Sequence, residues 1–184
     1  MYHTYTTRAF VVEQFPVGEA DMVCVLYTED FGLIRAKAQG LRNEASKLRY
    51  TLQSQNLCDV SLIRGYAQWR IVGADAGSEQ GVCHRALFAR ILKLVTRLVN
   101  GEEKDANLFS ILTDAYAVAA SKQLPVHAEL LTVCTVLIAL GYVSKDVIPV
   151  GEVSLQNDAL DAFMVQHRSL ILKSVNEALQ HSHL

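Results

Sequence analysis

The chain has 184 residues, 51% of them hydrophobic and 20% charged. That is enough for one large or two small domains with a substantial core, and it excludes a chain disordered over most of its length. The formal net charge is −2, so any role in binding nucleic acid has to rest on a local concentration of bases, not on overall basicity.

From the N-terminus to about residue 76 the pattern is that of strands. TRAFVVEQF is dense in β-branched and aromatic residues, PVGEAD reads as a turn, and MVCVLYTED as a second strand. A tight turn at Phe31-Gly32 leads into LIRAKAQ, a third strand. A longer basic loop follows, then LCDVSLI and QWRIVGA as fourth and fifth strands, with RGYA turning between them. Five short strands with one long loop predict a small barrel, and five is the strand count of the OB-fold.

Charge is uneven along the chain. Residues 1–34 hold one base and five acids, residues 35–70 hold seven bases and two acids, and the remainder holds nine bases and twelve acids. Side chains alternate across a strand, so Arg35, Lys37 and Gln39 share one face of LIRAKAQ while Ile34, Ala36 and Ala38 share the other. In the last strand Tyr66, Gln68 and Arg70 share a face, with Ala67, Trp69 and Ile71 opposite. Arg42, Lys47 and Arg49 lie in or after the loop. Nucleic-acid sites on OB-folds combine a basic groove with aromatic stacking. The candidate site is therefore Arg35, Lys37, Arg42, Lys47, Arg49 and Arg70, with Tyr66 as the stacking residue and Trp69 packed inward. For any one base a solvated surface is the simpler reading. The clustering of seven within a net-negative chain argues for a phosphate ligand.

From about Cys83 the period becomes helical. CHRALFARILKLVTRLVN places Leu87, Ile91, Leu94, Val95 and Leu98 at helical spacing, with Asn100-Gly101 as a stop. Arg90, Lys93 and Arg97 fall on one face of it, a candidate secondary DNA track or a solvated face. DANLFSILTDAYAVAAS is a second helix, broken by LPV. HAELLTVCTVLIALGY is a third, ending at Gly141, and the residues beyond 154 form one or two more. The fold class is thus α+β: an N-terminal five-stranded OB-fold barrel over residues 1–78 and an all-α helical domain over 82–184, divided at DAGSEQG.

Other chemistries find little support. No phosphate-binding loop, nucleophile elbow or metal signature is present. The acid pair Glu102/Glu103 falls in a polar turn. Cys24, Cys58, Cys83 and Cys134 form no C-x-x-C pair and read as reduced, mostly buried thiols. No catalytic residue, metal or cofactor is assigned, and an enzyme is not expected. The longest uncharged run, Leu130 to Ser144, is 15 residues, short of the roughly 20 that a membrane span needs. With no signal-peptide order at the N-terminus, a cytoplasmic protein is expected.

Three stretches resemble the N-terminal domain of the bacterial recombination-repair family RecO. FPVGEADMVCVLYTEDFG is similar to that family's first hairpin. AKAQGLRNEASKLRYTLQ is similar to its Lys-x-x-Gly-x-Arg…Ser-x-Leu…Leu-Gln segment, and QWRIVGADA to its barrel-closing strand. The resemblance is closest over residues 6–76 and continues in outline through NLFSIL and LLTVCTVLIALGY. It implies a protein that binds single- and double-stranded DNA, anneals complementary strands without ATP, and works with RecR and single-stranded-DNA-binding protein to load a recombinase. The resemblance places Lys37, Arg42, Lys47 and Arg49 in the DNA-contacting segment and implies a location at the nucleoid. Many relatives carry a four-cysteine zinc site where this chain reads GYVSKDVIPVGEVSLQND, so a short, zinc-free form is expected. The alternatives are a generic OB-fold RNA-binding protein, and a structural adaptor whose working surface is the helical half.

Overall fold

The computed structural model describes residues 3–66, 68–77, 82–122, 127–144 and 159–181, with side chains of the last segment described over 166–180. Ala67, the LPV break, most of DAGSEQG and the Cys-free segment 145–158 lie outside the described residues. The chain divides into two compact units, Met1–Gly81 with Val99–Ala106, and Val82–Leu98 with Asn107–Leu184.

In the first unit five strands, β1 (Thr4–Val17), β2 (Asp21–Thr28), β3 (Gly32–Ala38), β4 (Leu57–Arg64) and β5 (Trp69–Ala76), close into a barrel in the order β1-β2-β3-β5-β4. Every pairing is antiparallel except β3 with β5. Closure rests on Ala36–Ala38 of β3 against Trp69–Ile71 of β5, so no strand is left wholly at an edge. This is the α+β arrangement of barrel and helices that the strand and helix patterns predict. The inward set includes Ala9, Val11, Cys24, Leu26, Ile34, Ala36, Ala38, Val60, Leu62, Trp69 and Ile71. Trp69 is inward, as strand parity predicts, and burying so large a ring removes 150–250 Å² or so from water.

Two local features depart from simple alternation. A bulge in β1 shifts its register on β2 between Val11 and Glu13. One extra residue reverses the parity of everything after it. The second departure is in β5, which starts only at Trp69, so Tyr66 and Gln68 sit in the β4–β5 turn and not on the strand face. Within the basic loop a four-residue helix, α1 (Leu48–Thr51), forms where the sequence suggests only loop. It is tied in by the Gln14 amide, which donates to the Leu52 carbonyl.

The second unit contains α2 (Arg85–Leu98), most of α3 (Ala106–Ala120), α4 (Ala128–Ala139) and α5 (Ala159–His181). α2 buries Leu87, Phe88, Ile91, Leu92, Val95 and Leu98, one stripe at helical spacing. Leu98, Leu131, Cys134, Leu137, Ile171 and Val175 form a shared core. α4 stops where Gly141 takes φ +79°, with the Gly141 N–H donating to the Ile138 carbonyl and the Tyr142 N–H to the Leu137 carbonyl. This pair of reversed hydrogen bonds satisfies carbonyls that the helix end would otherwise orphan.

Between α2 and α3 the chain returns to the barrel. The Leu33 N–H donates to the Gly101 carbonyl at 3.3 Å, Lys104 pairs with Asp30 at 2.8 Å, and Glu102 accepts from Trp69 Nε1 at 3.0 Å. The sequence marks this segment only as a helix stop followed by acids. It is a strap held to the barrel rim formed by the β2–β3 and β4–β5 turns.

Candidate nucleic-acid interface

The outward face of β3 is built by a simple alternation. Ile34, Ala36 and Ala38 go to the core, Arg35 is exposed, and Lys37 is half-buried. Because β3 and β5 run parallel, Lys37 stands in register with Arg70, although 33 positions separate them. Adjacent strands lie about 4.8 Å apart, so the two cations share one patch.

The bases of residues 35–70 differ in how far their charge is already spent. Lys37 Nζ lies 2.8 Å from Asp21 Oδ2. Asp21 also accepts the Gly40 N–H at 2.8 Å. The Lys37 hydrogen bond, followed by that amide, holds the Asp21 carboxyl below its ordinary value. Among the described residues, the side chain of Arg70 donates only to the neutral Gln39 side chain, at 3.3 Å, and that of Arg42 only to the Gly18 carbonyl, at 3.2 Å. Arg42 is also anchored through its backbone, its N–H donating to the Ala20 carbonyl at 3.0 Å. Arg35, Lys47 and Arg49 are exposed and form no ion pair among the described residues. The Arg49 guanidinium lies 5.7 Å from the ring centre of Tyr50, itself largely exposed.

Arg64 is different. It pairs with Glu102 of the strap at 2.9 Å and lies 5.0 Å from the ring centre of Trp69. Trp69 belongs to an aromatic group with Tyr5 and Phe31, ring centres 5.0–5.7 Å apart. One carboxylate thus serves both a buried indole N–H and a surface arginine.

The structure brings Arg35, Lys37 and Arg70 together on one sheet face. Tyr66 is fully exposed in the β4–β5 turn, and Lys47 and Arg49 occupy α1 and its flank. On α2, Arg90 is held by both oxygens of Glu129, at 2.6 and 2.7 Å. That pairing neutralises the first member of the Arg90, Lys93, Arg97 series, whereas Lys93 and Arg97 are exposed. Among the described residues no three His, Cys, Asp or Glu side chains cluster as metal ligands. Cys24, Cys58 and Cys134 are buried, which pushes their thiols up to about 11, 12 and 11, and Cys83 is exposed. No described helix is long and apolar enough to cross a membrane.

Sequence reasoning missed Phe15. It shares parity with Ala9 and Val11, both inward, and would be assigned to the core on that basis. Downstream of the bulge it faces out, paired with Val23 and 47% exposed. A run of four buried residues, Ala9 to Val12, is the signal that parity breaks there.

Residues 1–67 match the family described as Recombination protein O N terminal. The likeness to the RecO family is carried by the first four strands of the barrel. The chain is 27% identical over 124 residues to DNA repair protein RecO of Chlorobium limicola, covering 64% of this chain and 48% of that protein. It is 29% identical over 119 residues to that of Synechocystis sp., covering 62% and 44%. Over a shorter stretch of 73 residues it is 39% identical to that of Dehalococcoides mccartyi, covering 40% of this chain and 29% of that protein. The chain therefore spans about half the length of the curated relatives that it matches most extensively.

Proposed function

We propose that the chain is a DNA-binding recombination mediator whose barrel domain, residues 1–78, holds the phosphate backbone. The observation that carries this reading is the register match of Lys37 with Arg70 beside Arg35, on the outward face of a barrel that resembles the RecO N-terminal domain. Their charges, with Arg42, Lys47 and Arg49 in the following loop, would neutralise backbone phosphates on two strands and lower the repulsion that opposes annealing. Base pairing would then supply sequence specificity, so the protein needs no base-edge contacts and no ATP. RecR and single-stranded-DNA-binding protein are the proposed protein partners, with recombinase loading as the outcome and the cytoplasmic nucleoid as the place. The helical part, expected over residues 82–184 and here taken without the strap Val99–Ala106, is the proposed partner-binding part, and Lys93 and Arg97 are a proposed secondary DNA track.

The test is the affinity of the full chain for single-stranded DNA between 50 and 200 mM salt, with an annealing assay alongside. The expected result is a steep loss of affinity, with log K falling by about 0.7 per phosphate contact per decade of salt. A flat salt dependence, or an equal preference for RNA without annealing, overturns the reading.

A further inference from the structure

Phe15 completes a transverse row across the barrel. It pairs with Val23 of β2, Val23 pairs with Lys37 of β3, and Lys37 pairs with Arg70 of β5. The row crosses three interstrand gaps, roughly 15 Å in all. It runs from an exposed aromatic ring to two cations, with Arg35 one step along β3. The face is not purely basic. Glu13 is exposed beside Phe15 on β1, and Asp21 engages Lys37.

The exposure of Phe15 is imposed by the fold. Without the bulge at Val12, plain alternation would send its side chain inward with Ala9 and Val11. The bulge presents a large apolar ring to water at roughly half exposure, on a strand fixed by pairing to β2. The neighbouring outward side chains of the same two strands, Phe10, Val25 and Tyr27, are buried. Phe15 is the aromatic that the same face leaves open. Tyr66, the aromatic suggested by the sequence, is fully exposed in a turn. A strand positions a contact more closely than a turn does.

We infer that Phe15 is a base-stacking platform for single-stranded nucleic acid, whose backbone crosses the barrel toward Lys37 and Arg70. This rests on the proposed DNA-binding reading of that face and adds a discrimination that charge alone cannot give. Phosphates are offered by single and double strands alike. The flat face of a base is free to stack on a side chain only where the base is not already held between its neighbours in a duplex. A charged face with a stacking ring therefore favours the single strand, and one without it does not.

The experiment compares wild type, Phe15→Ala and Phe15→Trp, as full chains, for anisotropy of a labelled oligothymidine and of a duplex of the same length over a salt series. For Phe15→Ala the expected result is about a tenfold loss on the single strand, an unchanged salt slope and an unchanged duplex affinity. Phe15→Trp is expected to retain single-strand affinity and to lose indole emission on binding. Equal losses on both DNAs, no loss on either, or a changed salt slope overturns the stacking role. Wild type that binds neither DNA overturns the basic-face reading itself, and the stacking role with it. Because Phe15 lies outside the core, the folded state of each variant is checked by its unfolding transition, expected to keep a midpoint close to that of wild type.

Discussion

Two parts of the barrel use the same basic segment in opposite ways. At the strap-covered rim, Arg64 meets Glu102, Asp30 meets Lys104, and the Trp69 indole N–H is satisfied by the same Glu102. On the β3–β5 face, Arg35 has no acidic partner among the described residues and Arg70 has only a neutral amide. The count of bases in residues 35–70 is therefore a poor measure of the charge offered to a ligand. A cation already matched by a carboxylate gains little from a phosphate, because the exchange replaces one anion with another. The rim spends its charge on fixing a connecting segment, and the sheet face leaves Arg35 and Arg70 without a carboxylate among the described residues.

The strongest way to break the rim is at Gly32. It holds φ +63°, and a Cβ built there would lie 2.1 Å from the Glu103 carbonyl oxygen, a backbone atom that cannot swing aside. Left-handed backbone alone costs a non-glycine residue about 1–3 kcal/mol. With the strap displaced as well, Gly32→Ala should destabilise the fold by on the order of 3 kcal/mol, read as a lowered midpoint in denaturant unfolding. The Lys37, Arg70 and Arg35 face is built from different strand positions. The fraction that remains folded should therefore bind single-stranded DNA as wild type does. A normal unfolding midpoint would show that the strap does not hold the rim.

The open face is broken by charge. Reversal at Lys37 and Arg42 together should reduce single-stranded DNA affinity about a hundredfold near 100 mM salt and flatten the salt slope by about 1.5. The unfolding midpoint should fall modestly as well, because a reversed Lys37 would face Asp21, whereas Arg42 keeps its backbone anchor. The matching reversal at Arg64, Arg64→Glu, should cost stability through Glu102 but far less affinity. If Arg64→Glu weakens DNA binding as much as the double variant, the contrast between spent and open charge is wrong.

How much of this could be read from the sequence follows from which physical rule each feature obeys. LIRAKAQ and QWRIVGA obey the two-residue period of a strand half-covered by a core, so their inward and outward faces, including Trp69, were legible. So were the stripe on α2 and the glycine stop of α4. Phe15 was not, because the bulge at Val12 reverses parity, and the apolar run AFVV in TRAFVVEQF hides which residue is the extra one. Glu102 was not, because its role depends on a contact with Trp69, 33 positions away, that no period encodes. The adjacency of Lys37 and Arg70 is likewise a consequence of barrel closure. The sequence could place each on an outward face but could not place them side by side.

Lys37 stands between the two regimes and sharpens the comparison most finely. It faces the open side, yet Asp21 holds it at 2.8 Å. Asp21→Asn keeps an acceptor for the Gly40 N–H and removes the charge that competes with phosphate. Single-stranded DNA affinity should rise about two- to fivefold, and the salt slope should steepen by about 0.7, the contribution of one phosphate contact. Acidifying the buffer should not imitate the substitution near neutrality. The folded-state pKa of Asp21 is lowered by the Lys37 and Gly40 hydrogen bonds, so its stabilising contribution is complete above the ordinary carboxylate value near 4 and is lost only as pH falls through the lower folded value. Between pH 7 and pH 5 wild-type affinity should therefore stay well below that of Asp21→Asn. Equal affinities of the two proteins already at pH 7 would mean that Asp21 is not held by Lys37 in solution, and that Lys37 belongs wholly to the open face.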